Sequence, residues 1–566
     1  MMTERSSFVV HLLLLAALCG VLYFPYLGRS PFFDKGEPRE GVAVQDIVQR
    51  GEWLFPLKRA TAIPSKPPLF HWSAALTAQI TGTLDEATIR FPSTLYATLG
   101  VVAVYLLGRK MYGGEVGLTA GAILATTLIY QNQALSARVD MTLCLFVTLS
   151  LIVFYALYRG FLIHPAWHFA LYAIVGIGTL AKGPLGILLP ALVIAVFLAV
   201  KKRWHLIAKF AFHPGVIITL VLAVGWYGLA ITRGGEGFVN RQLLQENLER
   251  FFGGSGHDGP FYYYISYLFA LGLPWSLFLP FVLWDSFKSR VFSDDNELFL
   301  WVWFLAMFIF FSVSAGKRSV YLLPIYPALS LLIAAWLHQA KAAIGVRLLL
   351  LRAVAIFAAM TGIVLLLIAL GDLWGHEPGW FFSPIERLLK AKDRANFELI
   401  KNQLADFGWR FDLAALLSAI LWCSAAYCLW TNRLLVTAPQ LVMIAVVTAF
   451  IGRGLVVPEI AEAKSYREFM RQVAERVQPG NRLYLYGGFN SDPVIFYHGG
   501  VIHRLDKSVQ IVVDNAAKSN TYIIMDELTW NRIRQVKPDL PAPLLKSQGK
   551  GAEGDAPLVL VPATVS

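Results

Sequence analysis

The sequence is short of charge. Only 15% of its 566 residues are Asp, Glu, Lys or Arg, against 56% hydrophobic, where a soluble protein carries about a quarter charged residues. That shortage excludes an ordinary soluble globular chain. Apolar runs of roughly 18 or more residues recur, beginning with "FVVHLLLLAALCGVLYFPYL", and runs of this length read as transmembrane helices. The first run lacks a small-residue cleavage site and reads as a retained anchor helix rather than a removed signal peptide. Cysteine is scarce as well. Cys19, Cys144, Cys423 and Cys428 fall inside expected spans with no metal-site spacing, so they read as small packing residues and not as a disulfide framework. No other metal-ligand spacing is visible, although a divalent-metal requirement stays open. No segment resembles a nucleic-acid-binding module. The net charge of +12 is therefore assigned to loop Lys and Arg that set membrane topology, with contacts to anionic membrane lipids as a second role.

Counting apolar runs gives about thirteen spans up to residue 452, centred near residues 17, 100, 122, 148, 174, 193, 220, 273, 305, 330, 360, 420 and 443. With the N-terminus cytoplasmic, Arg109, Lys110, Arg159, Lys201 to Arg203, Lys288, Arg290, Lys341, Arg347, Arg352 and Arg433 all fall inside, a consistent positive-inside pattern. The loops at 28–90 and 233–260, and everything after 452, then face the periplasm of a Gram-negative inner membrane.

Some cations break this pattern. Arg39, Lys58, Arg59 and Lys66 lie in the first outer loop, Lys182 in "GTLAKGPLGI", and Lys317 and Arg318 in "FSVSAGKRSVYLLP". Long basic side chains at such positions either snorkel to headgroups or converge on an anion at the outer surface, where Lys and Arg suit a phosphate as point charge and fork. A phosphate carried on a lipid arrives at that depth. Acids stand close by: Asp34, Glu37 and Glu40 open the first loop, before the short apolar-faced helix "GVAVQDIVQRGEW" that is expected to lie along the interface with Trp53 at headgroup level. Asp140 starts the fourth span, and an ionisable residue at the edge of a span is a site candidate; an ion pair with Arg138 or a helix cap is the plainer explanation. Two carboxylates at the outer face suit a general base and an orienter of an acceptor. A second outer loop carries Asn247, Glu249 and Arg250 on an amphipathic helix, then "GGSGHDGP" with His257 and Asp258, a glycine-rich stretch suited to a lid.

The motifs "DKGEPRE…QRGEW…IPSKPPLFHW", "AKGPLG", "LGLPWSLFLP" and "SAGKRSVYLLPIYP", in this order over about residues 1–455, resemble the bacterial GT-C membrane glycosyltransferases. The branch resembled is that of the lipid A aminoarabinose transferases, with the protein O-mannosyltransferases more distant. The resemblance implies a fold of roughly thirteen helices, an outer-facing active site, a sugar donor carried on polyprenyl phosphate rather than on a nucleotide, no cofactor, and inversion at the anomeric carbon. It implies a lipid, polysaccharide or protein acceptor and a monomeric enzyme. The family's first-loop acidic pair falls on Gly36 and Glu37, so its first acid is missing here, and Asp34 is the candidate to replace it. Lys66 matches a family lysine whose usual preceding acid is Ser65. Asp140 matches the acid before the fourth span, and Lys182, Arg250, Lys317 and Tyr321 fall on positions that line the donor or phosphate region.

After residue 452 the character changes. "EAKSYREFMRQVAERVQPG" reads as one amphipathic helix, "RLYLYGG", "VIHRL", "VQIVVD", "TYIIMDE" and "PLVLVP" as short strands, and "LTWNRIRQV" as a helix. This is a small α/β domain over 453–566, following a transmembrane domain over 1–452. "YGGFNSD" lacks the glycine spacing of a dinucleotide fingerprint. Its role is either to choose the acceptor or to cap the membrane part. An isoprenoid-lipid flippase and an O-antigen ligase-like enzyme with a diphosphate donor remain alternatives. Against the first, the chain shows no repeat relating its halves; against the second stand the "GEW…KPP" and "AKGP" motifs.

Overall fold

The computed structural model describes residues 4–565 apart from 58–61, 64, 243–258 (save 245), 289–293, 340–345, 374–408 (save 387, 394 and 397), 479, 506–510, 514–519, 538, 539, 541 and 552–555. Its larger part is a bundle of apolar helices: α1 (Glu4–Leu22), α2 (Glu37–Arg50), α3 (Leu69–Thr81), α4 (Glu86–Tyr112), α5 (Gly114–Thr126), α6 (Leu128–Ala134), α7 (Val139–Tyr158), α8 (Ala166–Lys182), α9 (Leu185–Val200), α10 (Trp204–Ala211) and α11 (Val216–Phe238). Longer apolar helices follow at Asp295–Val313, Tyr326–Gln339, Val346–Leu373, Trp409–Trp430 and Leu434–Ala449.

Among the described residues, nine helices are long and apolar enough to cross a membrane, or ten if the bent pair Tyr263–Leu271 and Trp275–Ser286 is one span. Every expected span centre lies on an apolar helix or in that bent pair. The count of thirteen is not reached, because α5, α8 and α9 have only 13, 17 and 16 residues. At about 1.5 Å per residue they reach roughly 20–25 Å, short of a hydrocarbon core of about 30 Å.

The two ends of the bundle differ in chemistry. At one end, the last turns of α4 and α7 meet the start of Asp295–Val313. Asn296 donates to the Met111 carbonyl at 3.3 Å, Arg159 donates to Asn296 at 2.8 Å, and Lys201, just past α9, pairs with Asp295 at 2.6 Å. The other end collects the end of α1, the starts of α4 and α7, the end of α8, and the loop after Val313.

Over this second end lies a sheet of order β2-β1-β4-β6-β3 (β1 Arg482–Tyr486, β2 His503–Arg504, β3 Ile511–Val513, β4 Thr521–Asp526, β6 Leu558–Val565), with β5 (Leu545–Lys546) also paired to β6. The first three strands in this order are parallel; β6 runs antiparallel to β4 and β3. Before it, the expected single helix is two, Val457–Lys464 and Arg467–Arg476, because Ser465 is extended and its hydroxyl takes the Arg467 N–H at 3.1 Å. A further helix, Asp492–His498, starts with Pro493 in its first turn and stops at Gly499 in the left-handed region at φ 78°, where glycine is favoured.

That short helix fixes α2. Instead of lying along an interface, α2 is buried from Glu37 to Ile47. Its Val42, Val44 and Ile47 share one core with Phe469, Met470, Val494, Ile495, Phe496 and the strand residues Leu485 and Ile524. Gly41 is the contact point: a methyl group there would sit 2.9 Å from the Phe496 ring. Trp53 is half-buried, and its carbonyl accepts from Trp72 Nε1 at 2.5 Å. The first loop and the terminal sheet therefore form one packed unit above the bundle. Phe496→Ala should loosen it by about 3–5 kcal/mol, lowering the melting temperature of the detergent-solubilised protein and exposing the segment after Lys464 to limited proteolysis.

Candidate active site

The first loop is held by a buried ion pair. Glu37, in the first turn of α2, accepts Arg90 Nε at 2.8 Å on one oxygen and Arg90 Nη2 at 2.9 Å on the other, and also accepts the Ala137 N–H at 2.9 Å. Arg90 Nη1 donates to the carbonyls of Leu27 and Ser30 at 2.8 and 2.7 Å. Both side chains are nearly inaccessible, at 6% and 4% exposure. A carboxylate closed in this way positions chain segments and has little capacity left to move a proton.

Asp34, three residues earlier, is more open. One oxygen accepts the N–H groups of Gly36 and Glu37 at 2.9 and 2.7 Å and so caps α2; the other takes Arg138 Nη2 at 2.5 Å. Its side chain is 37% exposed. Desolvation works against its charge, but the Arg138 guanidinium and the two backbone donors outweigh it and hold the carboxyl below its ordinary pKa. For Arg138, likewise, burial is outweighed by Asp34, and its pKa is raised. The glycine at 36 has a steric cause: any side chain there would overlap the Arg138 guanidinium. The Arg138–Asp34 pair occupies the space that an acid at 36 would need.

Asp140 lies in the first turn of α7, where the helix dipole favours an anion. Its Oδ1 accepts from Lys182 Nζ, at the end of α8. Lys182 also sits 4.6 Å from the centroid of the Tyr321 ring, a cation–π contact. The charges of Arg138 and Lys66 act on Asp140 too. Thus Asp34 with Arg138, and Asp140 with Lys182 and Tyr321, form two groups of contacts at the same end of the bundle, coupled by the charge of Arg138 acting on Asp140, with Lys66 also in electrostatic reach. Lys317 stands beyond them. Its Nζ donates to the Ser312 and Ser314 carbonyls at 2.8 and 2.7 Å and lies over the Tyr264 ring at 5.6 Å; burial lowers its pKa. Arg318 is half-buried, and its N–H donates to Tyr264 Oη at 3.2 Å.

Arg39 pairs with Glu40 at 2.6 Å, whose other oxygen meets His71 Nε2 at 2.8 Å. Burial opposes the Glu40 charge, but Arg39 and His71 overcome it and press its pKa below the carboxylate range. Lys58, Arg250, His257 and Asp258 lie outside the described residues. Among the described residues no group of three His, Cys, Asp or Glu side chains has the arrangement to hold a metal ion.

Two cations, Arg90 and Arg453, escaped the sequence argument, and a third, Arg138, was considered there only as a partner for Asp140. Arg90 and Arg138 stand at the starts of apolar helices, where basic residues pass for interfacial anchors. Arg453 lies in the π-turn Phe450–Val456, donates to Asn132 Oδ1, and lies within electrostatic reach of Glu37 and Arg90. Their signal was the acids: Asp34, Glu37 and Asp140 in apolar surroundings each require a cation.

Two outcomes follow from these pairs. Glu37→Gln removes the carboxylate charge that answers the buried Arg90, a change of about 3–5 kcal/mol, and should reduce folded yield and melting temperature far more than Asp34→Asn. The folded pKa values of Asp34 and Glu40 lie below their unfolded ones, so their stabilisation is present above the ordinary carboxylate value of about 4 and fades as pH falls through it. Melting temperature should therefore drop on acidification between about pH 5 and pH 3, and more shallowly in Glu40→Gln.

Comparison with known proteins bears on the fold and on the family likeness of the chain. A family model described as dolichyl-phosphate-mannose-protein mannosyltransferase matches residues 65–227, from Lys66 through Lys182. An uncharacterized protein of Aquifex aeolicus is 29% identical over 322 residues, 56% of this chain and 62% of that one. An undecaprenyl phosphate-alpha-4-amino-4-deoxy-L-arabinose arabinosyl transferase of Pectobacterium atrosepticum is 26% identical over 393 residues, 68% of this chain and 69% of its own. The chain thus spans about two thirds of the length of the curated relatives it matches. The crystal structure of ArnT from Cupriavidus metallidurans bound to undecaprenyl phosphate superposes with a TM-score of 0.75 at 20% identity, covering 97% of both chains. The chain has the GT-C fold of ArnT, and it resembles the aminoarabinose transferases and the protein mannosyltransferases.

Proposed function

We propose that this chain is a membrane glycosyltransferase that moves a sugar from polyprenyl phosphate to an acceptor at the periplasmic face of the inner membrane. The observation that carries the proposal is the gathering of two ion pairs, Asp34–Arg138 and Asp140–Lys182, with Tyr321 against Lys182, at one end of the bundle. Supporting it are the likeness to the arabinosyl transferases and the mannosyltransferase family model. Residues 1–452 form the transferase body in this proposal, and 453–566 cap the first loop on the periplasmic side.

In the reaction, the bond between the anomeric carbon and the donor phosphate oxygen breaks as an acceptor oxygen attacks from the opposite face, which inverts the anomeric centre. Negative charge grows on the departing polyprenyl phosphate. Lys182, held by Asp140 and Tyr321, and Lys66 beside it supply the compensating charge, as preorganised cations do most effectively. Lys317 and Arg318 extend this basic surface at the same end of the bundle. Asp34, the most open of the three acids, faces the acceptor. With a pKa below the ordinary carboxylate range it is a weak base, so it orients an acceptor better than it deprotonates one. A phosphate acceptor, already anionic, needs no base; a phosphorylated glycolipid such as lipid A fits this better than a neutral hydroxyl. Glu37 positions the loop through Arg90.

The test is release of undecaprenyl phosphate, followed by mass spectrometry, when purified full-length protein receives undecaprenyl-phosphate-linked aminoarabinose and lipid A. Asp140→Asn and Lys182→Met should each reduce release by about 10²–10³-fold, the scale for removing one charge-stabilising group. Donors left intact across aminoarabinose, mannose and other polyprenyl-linked sugars would overturn the proposal and turn attention to lipid translocation.

A further inference from the structure

A large open cavity in the described part of the bundle lies away from the site above. It lies at the opposite end of the same two helices. Asp140 begins α7 and Tyr158 ends it; Lys182 ends α8 and His168 is near its start. A helix of 20 residues such as α7 puts about 30 Å between the two places, the thickness of a hydrocarbon core. The cavity encloses about 480 Å³ and is lined by Arg159, Arg203, Lys209, His168, His205 and His213 along with Tyr158 and Asp295. That volume is within the range of small-ligand pockets, about 300–1,000 Å³.

Its charge is unbalanced. Asp295 is the one acid in the lining, and it is already paired with Lys201 at 2.6 Å. Among the described residues Arg203 and Lys209 have no carboxylate within ion-pair distance. Arg159 is tied to neutral oxygens, those of Tyr155 at 3.0 Å and Asn296 at 2.8 Å. His213 stacks between His168 and Tyr172, at 5.4 and 5.1 Å. Its Nδ1 accepts the Gly215 N–H at 3.0 Å, which leaves Nε2 as the protonated, donating nitrogen of the neutral ring. Burial, with the positive surroundings of His168 and Lys209, holds its pKa below the ordinary histidine value. A polar pocket of this kind is built for an anion.

The surroundings say where the anion comes from. The wall helix α10 carries Trp204 and is followed by Phe212, which are 64% and 86% exposed. Large aromatic side chains turned outward beside a basic cluster are the signature of a segment at the membrane interface. We infer that this cavity binds the phosphate headgroup of an anionic glycerophospholipid in the leaflet opposite the active site. Guanidinium and ammonium groups meet the phosphate oxygens, histidine N–H groups complete the shell, and the acyl chains pass beside Trp204 and Phe212.

The experiment places purified full-length protein in nanodiscs of phosphatidylcholine alone or with phosphatidylglycerol, and counts retained lipids by native mass spectrometry. Wild type should keep phosphatidylglycerol over phosphatidylcholine by about tenfold or more, and Arg203→Glu with Lys209→Glu should remove most of that preference, since each basic group near an anionic headgroup contributes several-fold. Arg433→Glu, a basic loop residue outside the cavity, should keep it. If the reversals do not yield monodisperse protein, Arg203→Gln with Lys209→Gln takes their place with the same expectation. Equal retention of the two lipids, or a preference unchanged by the cavity variants, would overturn the inference. So would displacement of the lipid by millimolar inorganic phosphate, which would mark the cavity as a site for a free anion.

Discussion

A buried guanidinium must find acceptors for its N–H groups, and Arg90 finds them in two separate segments. Its partners are the Leu27 and Ser30 carbonyls after α1 and both oxygens of Glu37 at the start of α2, while Phe32 lies 5.0 Å from the guanidinium carbon. Glu37 in turn accepts the Ala137 N–H just before α7. One desolvated pair therefore fixes the exit of the first helix, the entry of the loop helix and the approach to α7. Such a pair adds little net stability over a hydrophobic replacement, but breaking one half is costly. Its consequence is geometric: Asp34 and Arg138, either side of these anchors, can meet only in one arrangement.

The acids of this end divide by their hydrogen-bond valence. Glu37 is filled by Arg90 and a backbone donor, and Glu40 by Arg39 and His71. Asp34 keeps more than a third of its side-chain surface open, and Asp140 uses Oδ1 for Lys182. A filled carboxylate cannot accept from a substrate without losing a partner, whereas an open one can. Gly36 follows the same logic. With Arg138 seated against the backbone at 36, the carboxylate that answers it must come from another position, and Asp34 reaches it while its second oxygen caps α2.

The helices were readable because an apolar run of membrane length has few alternatives, and the strands β1, β4 and β6 because short β-rich runs were separated by glycine and polar residues. Asp140 and Lys182 were both singled out, but their contact was not: it joins residues on two helices whose packing no spacing reports. Arg138 was weighed against its neighbour Asp140 and pairs instead with Asp34, over a hundred positions away. The count of thirteen spans is not confirmed at α5, α8 and α9 because hydropathy averages over a window, while turns at Gly113 and Gly183 leave these helices shorter than the runs that announce them. The helix Asp492–His498 was missed because seven residues carry too little periodicity, although Pro493 and Gly499 mark both its ends.

The polarity of the bundle now has a physical origin at both ends. On the basic side, the ends of α4, α7 and α9 are joined by neutral or single-acid contacts, through Asn296 and Asp295, and leave an excess of positive charge. On the other side nearly every cation near the site has a named acidic or aromatic partner: Arg90 with Glu37, Arg138 with Asp34, Lys182 with Asp140 and Tyr321. Charge compensated within the protein is insensitive to the leaflet it faces, while uncompensated charge is drawn to anionic lipid. Cations at this end of the bundle can therefore coexist with a topology set by loop charge, because their charge is answered inside the fold. The site is thus kept apart from the forces that orient the chain, and in the proposed function its lysines answer the anion that the donor brings.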